Sequence, residues 1–320
     1  MTKFYLYHTT DYTYSDPVIE SSNKILLYPY NDLNQQLVNH SISVSGNPNI
    51  FTYIDDYNNR VGFFTIAPPI KSLVISSEAE IISKKIIFPD DKLHADEQWS
   101  LLKKYQKSID FLPFLINEKI NADNEITKLL SRSINTNYSP LENAKILCDY
   151  IHKNFIYQKG ITNVFTTIDE IWKIKSGVCQ DFTNVLIFLC RKAKIPARYV
   201  SGYVFADKTL RGAGATHAWV EIFIPNYGWL GLDPTNNCIA NDFHIRLAVG
   251  RNYEDCAPVK GVYKGNQTQL MNVNVHLGTK RKTKNFELSN KQNLDNTNFE
   301  NNKQNSFRKN LEMIQQQQQQ

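Results

Sequence analysis

Three residues in this sequence carry side chains that together could open an amide bond: Cys179, His217 and Asp233. A sulfur nucleophile needs a neighbouring base, and the base needs a third group to fix its tautomer and orientation. Cys179 lies in Gly177-Val178-Cys179-Gln180-Asp181-Phe182, and apolar residues follow at Phe182, Val185, Leu186, Leu189, Cys190 and Ala193. Their steps of three and one mark one face of a helix. The thiol is therefore expected at or near a helix N-terminus, with Gly177 permitting the sharp entry, where unpaired N–H groups favour a thiolate. The plainer fate of a free cysteine is that of a small buried hydrophobe, and Cys190, on the apolar face, is read that way. Asp181 is read as an acid that complements the helix dipole.

Thr216-His217-Ala218-Trp219-Val220-Glu221-Ile222-Phe223-Ile224 alternates as a strand, with Ala218, Val220, Ile222 and Ile224 on one face and His217, Trp219, Glu221 and Phe223 on the other. Pro225-Asn226-Tyr227-Gly228 is turn chemistry, and Trp229-Leu230-Gly231-Leu232-Asp233 reads as the returning strand of a hairpin. If Trp219 lies across from Asp233, His217 is a diagonal neighbour of Asp233 at roughly 7–8 Å between backbone positions, within reach of an imidazole–carboxylate contact. A one-residue slip would put Val220 opposite Asp233 and send the two groups to opposite faces. The hairpin is thus expected to have an odd-length loop or a bulge. Taken singly, His217 reads as a satisfied strand histidine and Asp233 as a turn former before Pro234; the combination with Cys179 favours catalysis.

These elements need a scaffold. Up to about Lys84 the chain reads as strands (Phe4 to Tyr7, Thr52 to Ile54, Phe63 to Ile66, Leu73 to Ile75), with turns expected at Asp16-Pro17, Asn47-Pro48, Asn58-Asn59 and Pro68-Pro69. From about Asp96 to Phe155 the pattern is helical, clearest where Ile146, Leu147, Tyr150, Ile151 and Phe155 line one face behind Pro140. We expect a β-rich, sandwich-like domain over 1–90, a helical segment plus catalytic core over 91–277, and a disordered Asn/Gln/Lys-rich tail over 278–320. Gly212-Ala213-Gly214 lacks the Lys-Ser/Thr of a phosphate loop and is read as a mobile loop beside the site. Trp219 and Trp229 could line a channel, though packing is the better reading.

Hydrophobic and aromatic contents of 42% and 12% suit a globular chain. Of the net charge of +5, the segment from Gly278 onward supplies most, with eight Lys or Arg against four acids. The body is nearly neutral and has no basic stripe, so no nucleic-acid partner is expected. No apolar run is long enough for a signal peptide or a membrane span, and the five cysteines form no paired framework. A cytoplasmic protein with reduced thiols and no membrane association is expected. Cys238, His244 and Cys256 lack zinc spacing, so no metal or other cofactor is assigned.

The segments Gly-Val-Cys-Gln-Asp-Phe at 177–182, Ile-Pro-Ala-Arg-Tyr-Val-Ser-Gly-Tyr at 195–203, Thr-His-Ala-Trp-Val-Glu at 216–221 and Gly-Trp-Leu-Gly-Leu-Asp-Pro-Thr-Asn at 228–236 resemble the bacterial transglutaminase-like protein family. Tyr12-Thr13-Tyr14 and Asp56 to Val61 look like the β domain that precedes its core, and His244 to Tyr253 and Lys260 to Gly265 also fit its pattern. The resemblance runs from near residue 1 to about 277. It implies an α+β fold with a papain-like transglutaminase core, a Cys-bearing helix packed on an antiparallel sheet. It further implies Cys179 as nucleophile, His217 as general base and acid, and Asp233 as orienting carboxylate, acting on protein or peptide amides. Cysteine proteolysis, crosslinking and a catalytically silent scaffold or binding protein all remain open, as does the oligomeric state.

Overall fold

The computed structural model describes residues 1–88, 93–205, 211–212 and 214–281. Ala213 and the tail from 282 onward, two places where mobility or disorder was expected, lie outside these residues. The chain begins with a long strand, β1 (Thr2–Ile25), followed by β2 (Gln35–Val44), β3 (Phe51–Ile54), β4 (Arg60–Ile66) and β5 (Ile70–Ser83). Period-two alternation buries Phe4, Leu6, His8, Thr10, Tyr12 and Tyr14 on one face of β1. The expected turn at Asp16-Pro17 does not end this strand. Pairing of β1 with β5 is interrupted between Thr13 and Val18, and a proline without an N–H is tolerated where the ladder is broken. Beyond that break, β1 changes partners and pairs with β4. One long strand thereby runs through a seven-stranded sheet ordered β2-β5-β1-β4-β3, in which two later strands also pair with β1.

Helices α1 (Ala95–Tyr105), α2 (Asp123–Ser133) and α3 (Pro140–Asn154) come next, then β6 (Ile156–Tyr157), α4 (Ile168–Ile174), β7 (Ser176–Gly177) and α5 (Cys179–Lys192). Pro140 occupies the first turn of α3, and Ser139 with Glu142 forms a capping box there. The remaining elements are β8 (Ala197–Val204), β9 (His217–Ile224), β10 (Gly228–Asp233), β11 (Cys238–Ile239), β12 (His244–Gly250), α6 (Tyr253–Cys256), β13 (Val259–Lys264) and β14 (Gln269–Gly278). An antiparallel sheet in the order β11-β10-β9-β8-β12 carries α5 against β8 and β9. The other face of α5 meets α3 and α4, so Phe182, Val185, Leu186, Leu189 and Cys190 are buried on every side.

The chain then returns to its start. β13 pairs with the second half of β1, and β14 runs along the first half from Tyr14↔Gln269 to Tyr5↔Gly278. Residues 259–278, grouped with the core by sequence, therefore build the N-terminal lobe. That lobe also closes the open edge of the core sheet. The Gln35 side chain accepts from the Arg246 N–H and donates to the Arg246 carbonyl, while Asn59 does the same for Val249. Two amide side chains thus mimic a neighbouring strand and satisfy backbone groups that burial would otherwise leave unpaired. Deeper in the contact, the His8 imidazole bonds the Tyr203 hydroxyl at 2.8 Å and Thr10 at 2.9 Å.

Candidate active site

Cys179 is the first residue of α5, as its apolar periodicity predicts. The entry is held by Asp181, whose carboxylate accepts from the Val178 N–H and the Thr162 hydroxyl, both at 2.7 Å. Burial outweighs these bonds and pushes the Asp181 carboxyl up to about 6. Gly177 is required by contact rather than by conformation: a Cβ there would meet the Asp181 carboxylate at 2.4 Å.

The hairpin takes the predicted register. Gly228↔Ile224 through Leu232↔Val220 all pair in line, so Asp233 continues opposite Trp219. The loop is Pro225-Asn226-Tyr227, an odd length, with Asn226 and Gly228 at positive φ. His217 and Asp233 accordingly share a face, and His217 Nε2 donates to Asp233 Oδ2 at 2.8 Å. The other ring nitrogen, Nδ1, is buried and has no nitrogen or oxygen partner. The Cys179 thiol interacts with this ring, and with Nε2 taken it can address only Nδ1. Burial alone would lower the imidazole's proton affinity, but the Asp233 carboxylate outweighs it, with help from Cys179, and the ring is held well above its ordinary value. Burial likewise opposes charge on Asp233, yet His217, followed by His244, holds that carboxyl well below the usual range.

The sequence pointed to His217 alone as the partner of Asp233; the structure adds two. His244 Nε2 lies 3.3 Å from Asp233 Oδ2, and its Nδ1 lies 3.2 Å from both the N–H and the side-chain oxygen of Asn241. Burial keeps His244 neutral against the pull of the carboxylate, so it acts as a neutral donor. Asn236 donates its side-chain N–H to Asp233 Oδ2 at 2.7 Å and ties the Arg211 backbone to the same corner. These contacts cross an irregular turn with no periodicity, so only the match of His244 to the family pattern hinted at them. Cys238 also reaches this corner, and donor atoms of Asp233, Cys238 and His244 lie within 4.8 Å of one another. Cys256 does not join them and packs against the Tyr199 carbonyl.

Gly212, at φ +113°, rests on the imidazole, where a Cβ would stand 3.0 Å from Nδ1. The Arg211 guanidinium lies 4.9 Å over Tyr157, whose phenol is pushed up by burial and then by nearby Cys179. Trp219 is fully buried, stacked on His217 and edge-on to His244. Trp229 packs among Phe111, Phe114 and Phe223. Both tryptophans are packing residues, and Trp219 also braces the candidate base.

Comparison with known proteins agrees with this architecture. The sequence model described as the transglutaminase-like superfamily matches residues 127–234, and that of the bacterial transglutaminase-like N-terminal region matches 4–82. The chain belongs to the transglutaminase-like superfamily. Uncharacterized proteins of Mycobacterium bovis and Mycobacterium tuberculosis share 29% identity over 84% of this chain and 90% of theirs. A protein-glutamine gamma-glutamyltransferase of Pseudomonas aeruginosa shares 34% identity, over 29% of this chain and 15% of its own. In three dimensions, a candidate cysteine protease from Cytophaga hutchinsonii superposes with a TM-score of 0.70 at 21% identity, covering 95% of each chain. Both lobes of this superfamily member therefore share their fold with a solved structure.

Proposed function

We propose that this chain is a thiol-dependent enzyme that transfers or hydrolyses the acyl group of protein or peptide amides through Cys179, His217 and Asp233. The observation that carries the reading is the His217–Asp233 bond through Nε2, which leaves a buried, unpaired Nδ1 for a thiol at the head of α5. In this reading Nδ1 already holds the Cys179 proton, the thiolate attacks the amide carbonyl carbon, and the oxyanion meets the Cys179 N–H, one of the donors a helix start leaves free. The imidazolium then returns its proton to the departing nitrogen as the C–N bond breaks, leaving a thioester. Water or a primary amine next attacks that thioester, with His217 accepting its proton, and the thiol is restored. Among the described residues no helix is long and apolar enough to cross a membrane, and all five cysteines are free, which fits a reducing compartment such as the cytoplasm.

The test is intact-mass and peptide-mapping analysis of the full chain after incubation with peptide libraries, with and without a primary amine. An acyl adduct on Cys179 that is absent from Cys179→Ala supports the reading, and its fate with amine separates crosslinking from hydrolysis. A wild-type chain that never acylates at Cys179 would point instead to a silent scaffold.

A further inference from the structure

The corner behind Asp233 has a composition that the acyl-transfer chemistry does not use. Cys238 pairs across from Asp233 between β10 and β11, and His244 opens β12, so three loops' worth of chain converge to place a carboxylate, a thiol and an imidazole together. We propose that Asp233, Cys238 and His244 form a site for a thiophilic divalent cation, zinc above all, and that its occupation idles the candidate triad. The consequence for the triad rests on the function proposed above; the binding itself does not.

Three observations carry this. Zinc bonds to nitrogen and oxygen at about 2.0–2.1 Å in a tetrahedral site set a ligand–ligand edge of about 3.3 Å, and His244 Nε2 stands 3.3 Å from Asp233 Oδ2. The cation would replace the proton that now joins these two atoms. His244 can give up that proton if Nδ1 exchanges the Asn241 N–H, which now donates to it, for the Asn241 side-chain oxygen as acceptor, each at 3.2 Å; the second arrangement is the outer hydrogen bond of a metal-binding tautomer. The third observation is access. Cys238 is half-buried and lines an open pocket of about 540 Å³ with Tyr138, Glu142, Asp149 and Asn237, giving a cation a route from solvent.

The balance is simple. The Cys238 thiol releases one proton to solvent and bonds as thiolate, the His244 proton moves to Nδ1, and Asp233 contributes its existing charge. The dication is then neutralised by two anionic ligands, and water can fill a fourth position. Because the carboxylate oxygen concerned, Oδ2, is also the acceptor for His217, metal and imidazole compete for one atom.

Cobalt(II) titration of the full-length Cys179→Ala chain tests the binding without needing catalysis, and it removes the alternative thiol beside His217. One cobalt per chain should bind, with tetrahedral visible bands and a thiolate-to-metal charge-transfer band in the near ultraviolet. In Cys179→Ala/Cys238→Ser the charge-transfer band should vanish and binding weaken at least tenfold. Should that variant not fold, wild-type chain provides a second readout: zinc, unlike magnesium, should slow iodoacetamide alkylation of Cys238 at least tenfold by peptide mapping. A band that survives Cys238→Ser, the absence of any band, or alkylation of Cys238 at the same rate with and without zinc each overturns the site. In wild type, zinc should suppress acylation of Cys179, and Cys238→Ser should raise the half-inhibitory concentration at least tenfold. Tight cobalt binding by a chain that never acylates would retain this site while removing the function proposed above.

Discussion

Asp233 accepts five hydrogen bonds: from His217, His244, the Asn236 side chain, and the backbone N–H groups of Thr235 and Asn236. A carboxylate with every lone pair engaged is locked in orientation, and His217 is locked with it. Asp233→Asn should lower the rate of Cys179 acylation by about 10³–10⁴-fold, because an amide in that place no longer compels the tautomer with a free Nδ1; single-turnover kinetics with circular dichroism as a folding control would measure it. His244 acts one step further out. His244→Phe should cost about 10–100-fold, the usual scale for losing an outer hydrogen bond to a site residue, whereas His244→Gln, which keeps an N–H donor, should recover much of that loss. Equal losses in both variants would show that the ring matters for packing against Trp219 rather than for its hydrogen bond.

At the level of elements, the site depends on strands that touch without side chains between them. Gly202 on β8 faces His217 on β9, and a Cβ there would stand 2.2 Å from the Ile245 carbonyl and 2.5 Å from the Trp219 ring. Gly202→Ala should therefore destabilise the protein by about 1–3 kcal/mol through overpacking, readable by urea unfolding, and should slow acylation as Trp219 is pushed against His217. How much of this was legible varies with distance along the chain. Helical spacing placed Cys179 at the head of α5 and strict alternation marked both strands of the β9–β10 hairpin, because both are short-range periodicities, whereas the register followed only from requiring that His217 and Asp233 meet. Ser139 and Glu142 held a capping signal that can be read locally but lay outside the apolar pattern. The return of β13 and β14 to β1 leaves no local trace, since strand pairing across about 250 residues is decided by which edge is open in the assembled fold. His244 escaped notice as a partner of Asp233 for a different reason: only 11 residues separate them, but the turn between has no periodicity to read.

For the whole molecule, the contact between lobes should make stability respond to acid. Burial lowers the His8 imidazole to about 4, against an ordinary value near 6.5. The folded state thus binds this proton more weakly than the unfolded state does. The associated stability is fully present above pH 6.5 and is lost as pH falls toward 4, by about 2 kcal/mol at pH 5 and about 3 kcal/mol at the limit. Asp181 and His217, both raised, respond in the opposite sense over this range, so the measurement is a difference: by urea unfolding, the stability of wild type relative to His8→Gln should fall by about 2 kcal/mol from pH 7 to pH 5, and an unchanged difference would assign the acid response elsewhere. The return of β14 along β1, from Tyr14↔Gln269 to Tyr5↔Gly278, governs how the protein must be made. The edge of the first strand opposite β5 waits for its partner until nearly 280 residues have left the ribosome, so the opening lobe cannot close during early synthesis, and a message cut short before residue 259 would release a chain with a long adhesive flank. The same adjacency sets Gly278 opposite Tyr5, four residues from Met1, so a short peptide bridge between the end of β14 and Met1, with new ends opened in the Asn135–Tyr138 turn, should yield a circular permutant that still folds.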